Sequence, residues 1–321
     1  MSPVDVPIGL LTELRNFHAS RPLLLDQHLP GLLLRRLPWG APNRYFAWRI
    51  PTHRTDLPGC EAEICLKLHT GTPQRASIEM RALDHVANAV TAAPRVLWQD
   101  RHRRVPVTAM TLLVGDAVPR RRAPVHEALR SIAAVLGQVR ALPLGPFAAI
   151  PRARSLAESL EATTRIWPAT LINAPAEHGI NAEMLTLLGE WRDTDDCDIL
   201  AEPAPVILSP GNSDLDQWLW DSSTRSVHLV DWESAGCSDT AFDAADLVEH
   251  PSVRTHSDDD WMAVLPELGV YDETTYRRFR AARRLLALYW LSELWDQRGE
   301  RPMAFADQRD RTRSLLKPTR V

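Results

Sequence analysis

Two acidic residues at the end of a short apolar segment are the best candidates for chemistry in this sequence. Residues 227–233 read VHLVDWE, and the apolar, partly β-branched start is typical of a buried strand that ends at Asp231. Glu233 follows two positions later. Carboxylates at a strand end supply the oxygen ligands that a hard divalent cation prefers. A solvated strand terminus is the alternative interpretation, and this segment alone does not exclude it.

A polar loop lies immediately upstream of that strand. Residues 210–221 read PGNSDLDQWLWD, a run of small, amide and acidic side chains followed by a short aromatic segment. Pro and Gly beside such residues indicate a turn that projects its side chains. A second turn at residues 222–225 joins this segment to the strand that ends at Asp231. The sequence therefore predicts a compact hairpin with a polar loop beside an acidic strand end.

A candidate cation and its candidate partner lie in the first third of the chain. Residues 61–68 alternate charged and apolar side chains, which predicts a strand that carries Lys67. Residues 74–93 place apolar side chains at helical spacing and stop before Pro94, which predicts a helix that carries Glu79. Taken singly, an exposed strand lysine and a solvated helix glutamate are ordinary alternatives for these two residues.

The surrounding elements predict an α+β protein of two lobes. Four further β-type segments flank the helix in the first third, at residues 31–37, 44–50, 95–99 and 105–113. From residue 125 onward the pattern is mostly 3.6-periodic. We therefore expect a bilobal fold, with a small antiparallel β lobe and one helix over residues 1–114 and a larger, mainly helical lobe over residues 115–321.

The order and spacing of these motifs resemble the aminoglycoside phosphotransferase and choline kinase group, which has a protein kinase-like fold. That group carries a His-Gly-Asp loop, an Asn five residues after the Asp, and a strand that ends in Asp-Trp/Phe-Glu. Here the matching segments read SPGNSDLDQWLWD at residues 209–221 and VHLVDWESAGCSDTAFDAADLVEH at residues 227–250. The resemblance extends over residues 31–298.

The resemblance implies an ATP site in the first lobe. Lys67 on the third strand and Glu79 in the following helix look like the kinase lysine and glutamate that fix the ATP phosphates, a task suited to a point charge held by a carboxylate. The segment that carries the adenine-binding hinge of such proteins corresponds to Met110, Thr111 and Leu112.

The polar loop departs from the group at three positions. Pro210 stands in place of the His, Asn212 in place of the catalytic Asp, and Gln217 in place of the metal-binding Asn. An Asn side chain takes no proton, although its carbonyl oxygen is able to orient a hydroxyl. Asp214 and Asp216 are acids that the loop offers in addition, and either is an alternative to the missing base. The resemblance therefore implies Asn212 and Asp214 near the acceptor.

The same resemblance implies a magnesium ion at the acidic strand end. Asp231 stands at the position of the anionic ligand, and Gln217 keeps an amide oxygen one methylene farther from the backbone than Asn does. A first hypothesis follows, that the protein transfers phosphoryl groups from ATP to a hydroxyl of a small molecule or a peptide. A pseudokinase that binds nucleotide or a partner protein, and a nucleotidyl transferase, remain as alternatives.

Composition and charge exclude several other classes. The formal net charge of -4 over 321 residues offers no global basic field for nucleic acid. The four cysteines lack metal-ligand spacing, and no apolar run reaches the roughly 18 residues of a membrane span. We therefore expect no nucleic-acid partner and no association with a membrane. We also expect a cytoplasmic location.

Overall fold

The structure is a computed structural model. It describes residues 34–36, 45–49, 63–69, 71–87, 89–100, 106–118, 124–173 and 178–317. The strand predicted within residues 61–68 begins at Glu63 in the structure, and the first two residues of that prediction lie outside the described residues.

The chain divides into two units. The first contains the described residues up to Ala117 together with Asp216–Glu233, and the second contains those of Val118–Leu215 and Ser234–Val321. This arrangement differs from the single division after residue 114 that the sequence suggested. The physical reason is strand pairing, because the hairpin of residues 218–229 pairs with a strand at residues 116–117.

A five-stranded antiparallel sheet forms most of the first unit. Its strand order is β1-β2-β3-β5-β4, so β3 lies at the centre. In the register of the sheet, Lys67 on β3 is opposite Thr108 on β5. Residues 65–68 of β3 are all buried, which excludes the exposed strand lysine as an interpretation of Lys67. The strands are β1 (Leu34–Arg36), β2 (Tyr45–Arg49), β3 (Glu63–Leu68), β4 (Val96–Asp100) and β5 (Val107–Thr111).

Helix α1 (Pro73–Val86) follows the central strand and directs Glu79 inward. Thr72 caps its first turn by accepting a hydrogen bond from the Arg75 amide at 3.3 Å, and Pro73 has the fixed φ that suits a first helical position. Glu79 lies on the buried face with Ala76, Met80, Leu83 and Val86. The helix ends seven residues before the predicted end at residue 93, because the chain turns after Val86.

A three-stranded antiparallel sheet completes the first unit. Its strands are β6 (Asp116–Ala117), β8 (Trp218–Asp221) and β9 (Ser226–Leu229), in the order β6-β8-β9. Trp218, Leu219 and Trp220 are all buried. The Leu229 amide donates to the carbonyl of Ala92 at 3.0 Å, which ties the hairpin to the segment after α1. The hairpin thereby carries Asp231 into the unit that contains Lys67.

The second unit is mainly helical, as the sequence predicts. A two-stranded antiparallel sheet of β7 (Val206–Ser209) and β10 (Gly236–Asp239) lies among helices, and β10 was not predicted. A π-helical turn at Ala162–Ile166 interrupts the helical pattern that the sequence predicts beyond residue 125. A last helix at Pro302–Leu316 was also not predicted. The helices are α2 (Val125–Arg140), α3 (Leu156–Glu161), α4 (Trp167–Asn173), α5 (His178–Arg192), α6 (Asp196–Ala201), α7 (Thr240–Glu249), α8 (Asp258–Ala263), α9 (Glu273–Trp295) and α10 (Pro302–Leu316).

None of the helices in the described ranges combines the length and the apolar character that a bilayer crossing requires.

Candidate functional site

A buried lysine held by two carboxylates forms the centre of the first unit. The Lys67 side chain is fully buried, and its ammonium donates to both carboxylate oxygens of Glu79 and, at 3.0 Å, to Oδ1 of Asp231. Residues 67 and 231 are 164 positions apart in the chain, so their contact depends on the tertiary fold. The structure thus assembles three of the residues that the sequence singled out.

The cluster favours the charged forms of Lys67 and Glu79 but opposes the charge of Asp231. Burial alone would lower the pKa of Lys67, but Asp231 and Glu79 outweigh it and raise that pKa. Burial likewise opposes ionisation of Glu79, yet Lys67 and His69 lower its pKa to about 2. Burial raises the pKa of Asp231, with Glu79 and Glu233 acting in the same direction and Lys67 opposing. Asp231 is therefore the carboxylate of the cluster that gains most from an additional cation.

Glu79 is fixed by two further contacts that the sequence did not predict, and one of its partners, His69, is itself held by Thr108. His69 Nδ1 lies 3.3 Å from Glu79 Oε2, and the other ring nitrogen lies 2.9 Å from Thr108 Oγ1. The Trp232 amide donates to Glu79 Oε1 at 3.5 Å. The signal for His69 was present, because a residue two positions after Lys67 on a strand lies on the same face.

A set of hard oxygen donors adjoins the lysine. Carboxylate oxygens of Glu79, Asp231 and Glu233 lie within 4.8 Å of one another. The backbone of Gln217 is tied to the residue before Asp231, because the Val230 amide donates to the Gln217 carbonyl at 3.2 Å. The side-chain oxygen of Gln217 is buried, and within the described part of the chain it has no hydrogen-bond partner. Such donors fit a divalent cation of the magnesium type, and a buried amide oxygen without a partner is an available ligand.

The predicted hinge spans the last two residues of β5 and the residue that follows the strand. Met110 is buried and is opposite Cys65 of β3 in the sheet register. The Thr111 amide is already engaged, since it donates to the Arg95 carbonyl at 2.9 Å. Leu112 follows the strand, so its backbone is the part of the predicted hinge that leaves the β4–β5 ladder. Gly115 follows with a φ of +145°, and a Cβ at this position would lie 2.8 Å from the carbonyl oxygen of Trp220. A residue with a side chain is therefore excluded at this position.

Asn212 and Asp214 lie in the second unit, in a tight turn. Asn212 Oδ1 accepts a hydrogen bond from the Asp214 amide at 3.1 Å, so the amide side chain caps its own loop. The Leu215 amide donates to Ser252 Oγ at 2.9 Å. Both predicted residues are half-buried. The loop is thus an ordered structure, and the Asn212 side chain takes part in that order.

Gly211 permits this loop to approach the segment after Asp231. Its φ is +68°, and a Cβ at this position would lie 1.9 Å from the carbonyl oxygen of Ser234. We expect Gly211→Ala to lower the free energy of unfolding by about 2–4 kcal/mol, because the added methyl meets backbone that is unable to yield. Chemical denaturation followed by circular dichroism measures the change.

Gly189→Ala is the matched control for this substitution. Gly189 lies within helix α5 of the same unit, and a Cβ there meets no atom within 4 Å. We expect the control to stabilise the protein by about 0.5–1 kcal/mol, the ordinary helix preference of Ala over Gly. Equal effects of the two substitutions would contradict the close approach at Gly211.

Comparisons with known proteins identify the fold. No protein-family model matches the sequence, and no curated protein matches it. Solved structures of aminoglycoside phosphotransferases do match over nearly the whole chain. A GDP complex of an aminoglycoside 2′-phosphotransferase IIIa mutant has a TM-score of 0.66 at 13% identity, covering 95% of this chain and 96% of that one.

Two further structures agree with the first. A thermostable aminoglycoside phosphotransferase mutant, in complex with ADP and hygromycin B, has a TM-score of 0.62 at 13% identity and covers 94% of this chain and 97% of its own. An aminoglycoside phosphotransferase from Alicyclobacillus acidocaldarius has a TM-score of 0.62 at 14% identity, covering 98% of this chain and 95% of its own. This chain therefore has the protein kinase-like fold of those enzymes, and the predicted fold class is confirmed.

Proposed function

We propose that the protein is a cytoplasmic, ATP-dependent phosphotransferase that acts on a hydroxyl of a small molecule or a peptide. The observation that carries the proposal is the buried ion cluster of Lys67, Glu79 and Asp231. Burying three charges is costly unless they are paired, and replacement by apolar side chains is often neutral or stabilising in proteins. A cluster of this composition is therefore best explained by a polyphosphate and its cation.

The residues of the first unit divide the nucleotide between them. Lys67 donates to phosphate oxygens in exchange for its bond to Asp231, while Glu79 keeps the ammonium in place. Asp231 and Gln217 are the residues that would hold magnesium, which supplies charge neutralisation at the phosphate oxygens when bound. The hinge of Met110, Thr111 and Leu112 receives the nucleobase.

The solved structures with this fold support a nucleotide. Those structures contain GDP, ADP or AMP-PNP, and three of them also contain kanamycin or hygromycin B. In this chain we assign the acceptor hydroxyl to Asn212 and Asp214 of the second unit. Phosphoryl transfer depends mainly on positioning and electrostatics, so replacement of the usual Asp by Asn is compatible with turnover.

A pseudokinase is the second candidate, and one observation favours it. The carbonyl oxygen of Asn212, which would orient an acceptor hydroxyl, accepts the Asp214 amide instead. A protein of this kind would bind nucleotide, or a partner protein, without transferring the phosphoryl group. The two candidates share a nucleotide site and differ in turnover.

Titration of ATP into the purified protein by calorimetry, with magnesium or with EDTA, tests the nucleotide site that both candidates share, and release of phosphate from ATP then distinguishes the phosphotransferase from the pseudokinase. We expect magnesium-dependent binding in the wild type and a loss of about 10- to 100-fold in affinity in Lys67→Met, the range of a charge-assisted hydrogen bond to phosphate. Arg81→Met is the control, because Arg81 is an exposed cation on the outer face of α1. Absence of binding in the wild type would leave only a scaffold role.

A further inference from the structure

A buried guanidinium lies beneath the polar loop of the second unit. The Arg152 side chain is 2% exposed and, besides a hydrogen bond to the adjacent Ala153 carbonyl at 3.2 Å, makes four contacts with more distant residues. It donates to Asp243 Oδ1 at 2.7 Å and to the Asp246 carboxylate. It also donates to the Gly211 carbonyl at 3.2 Å and to Ser213 Oγ at 3.5 Å. One side chain therefore joins helix α7 to the residues on both sides of Asn212.

The backbone that carries Arg152 is itself held at several points. The Arg152 amide donates to the Cys237 carbonyl and the Ala153 amide to the Ser234 carbonyl, each at 3.1 Å. Gly236 permits this contact, since a Cβ there would lie 2.3 Å from the Arg152 nitrogen. The guanidinium thus projects from a fixed point of the fold.

A second arginine reinforces the arrangement at a cost in backbone energy. Arg154 adopts a φ of +55°, a left-handed conformation that costs a residue other than Gly about 1–2 kcal/mol. In this conformation it donates to both oxygens of Asp246, at 3.1 and 3.3 Å. Burial opposes ionisation of Asp246, but Arg152 and Arg154 outweigh it and lower its pKa to about 2. Asp246 is therefore a permanent anion to which Ser213 also donates.

We infer that Arg152 is a positioning residue for the loop that presents Asn212 and Asp214. The guanidinium binds the carbonyl before Asn212 and the hydroxyl after it, and it leaves the Asn212 side chain to the Asp214 amide. The catalytic consequence of this role rests on the proposed function. The ordering of residues 211–215 by Arg152 does not, because it is a property of the fold. Pro210 stands where the resemblance places a His, and its side chain has no hydrogen-bond donor. Arg152 supplies donors to this loop from another segment of the chain.

The chemistry of the guanidinium suits this task better than that of an ammonium. Its planar fork presents five N–H donors in fixed directions, whereas Lys presents three donors around a point. Two carboxylates, a carbonyl and a hydroxyl surround Arg152. Arg152→Lys keeps the charge but is unable to reach all four, so it separates charge from geometry.

The test compares Arg152→Met with Arg283→Met by hydrogen exchange. Arg283 is also buried and pairs with a buried carboxylate, Glu249, which retains Arg311 when Arg283 is removed. Asp246 likewise retains Arg154 in Arg152→Met. In Arg152→Met we expect amides of residues 211–215 to exchange at least about tenfold faster, with no such change in Arg283→Met. Arg152→Lys should give an intermediate rate.

Steady-state kinetics supplies the second readout. With ATP and magnesium, we expect Arg152→Met to lower kcat at least about tenfold and to leave KM for ATP within about threefold, because the nucleotide residues belong to the other unit. Arg283→Met should leave kcat near the wild-type value. If Arg152→Met does not fold, Ser213→Ala and Arg152→Lys take its place in both assays.

The outcomes separate this inference from the proposed function. Faster exchange throughout the second unit in both variants, or unchanged exchange at residues 211–215 in Arg152→Met, would overturn the positioning role. A wild type without turnover would overturn the phosphotransferase, while a selective exchange change in Arg152→Met would still support Arg152 as the residue that orders the loop.

Discussion

Asp231→Asn is expected to lower ATP turnover at least about a hundredfold and, at the same time, to stabilise the magnesium-free protein. Loss of turnover follows because the amide removes the full negative charge that would hold the cation, and one preorganised electrostatic group is commonly worth two to three orders of magnitude in kcat. Release of phosphate from ATP, with water as the acceptor, measures the effect without a known acceptor.

The gain in stability follows from the raised pKa of Asp231. A carboxyl group whose pKa is higher in the folded state than in the unfolded state favours folding while it is protonated. That contribution is complete below the unfolded pKa of about 3.9 and is lost as the pH rises above it. Asn carries no charge at any pH, so the advantage of Asp231→Asn should grow from pH 4 upward. Lys67 retains Glu79 in the variant.

Asp84→Asn is the matched control for both measurements. Asp84 is an exposed acid on α1 of the same unit, so its substitution removes one negative charge outside the cluster. We expect turnover and thermal stability of the control to remain near the wild type. Retention of turnover in Asp231→Asn would contradict the metal role, and a lower midpoint of unfolding in EDTA would contradict the cost of burying Asp231.

Strand order and periodicity explain why the ion cluster was accessible from the sequence. Lys67 lies on a strand with a clear period of two, and Glu79 lies on a helix with a clear apolar face. Asp231 lies two residues after β9, which pairs with β8 in a hairpin whose turn is at residues 222–225. Local patterns of this kind fix the face on which a side chain lies, and the resemblance supplied the long-range pairing.

The contacts of Arg152 were beyond the reach of the sequence. Arg152 lies in a segment without helix or strand periodicity, and its partners Gly211, Asp243 and Asp246 are 59 to 94 positions away. A surface arginine has the same local sequence as a buried one. Only the bridge between Pro151 and Cys237 and the close approach at Gly236 decide that this one is enclosed.

The π-helical turn of the second unit was likewise not predictable from the sequence. The pattern of residues 162–166 is helical, yet the structure has a π-helical turn there, with Arg192 donating to the Thr164 carbonyl at 2.8 Å. A one-residue expansion of a helix changes no periodicity that a short window detects. Tertiary contacts of this kind decide the geometry, and local propensity does not.

Asn212→Asp is expected to raise kcat for ATP turnover by about 10- to 100-fold. The Asp side chain has the size of Asn, so one oxygen is able to keep the hydrogen bond from the Asp214 amide that Asn212 accepts at 3.1 Å. The second oxygen then offers a proton acceptor, and general-base assistance is typically worth about 10²- to 10⁴-fold in an evolved site. The lower figure reflects a loop that has not adapted to the added charge.

Asp214→Asn provides the matching test, because it removes the acid that the loop already offers. If Asp214 acts as the base, its substitution should lower kcat about tenfold or more and leave KM for ATP unchanged. Turnover that is unchanged in Asn212→Asp but abolished in Asp214→Asn would show that Asn212 serves only to cap the loop. Asn212→Asp adds one proton-accepting oxygen before Ser213, and Asp214→Asn removes one after it. A comparison of the two variants therefore shows on which side of Ser213 a base acts.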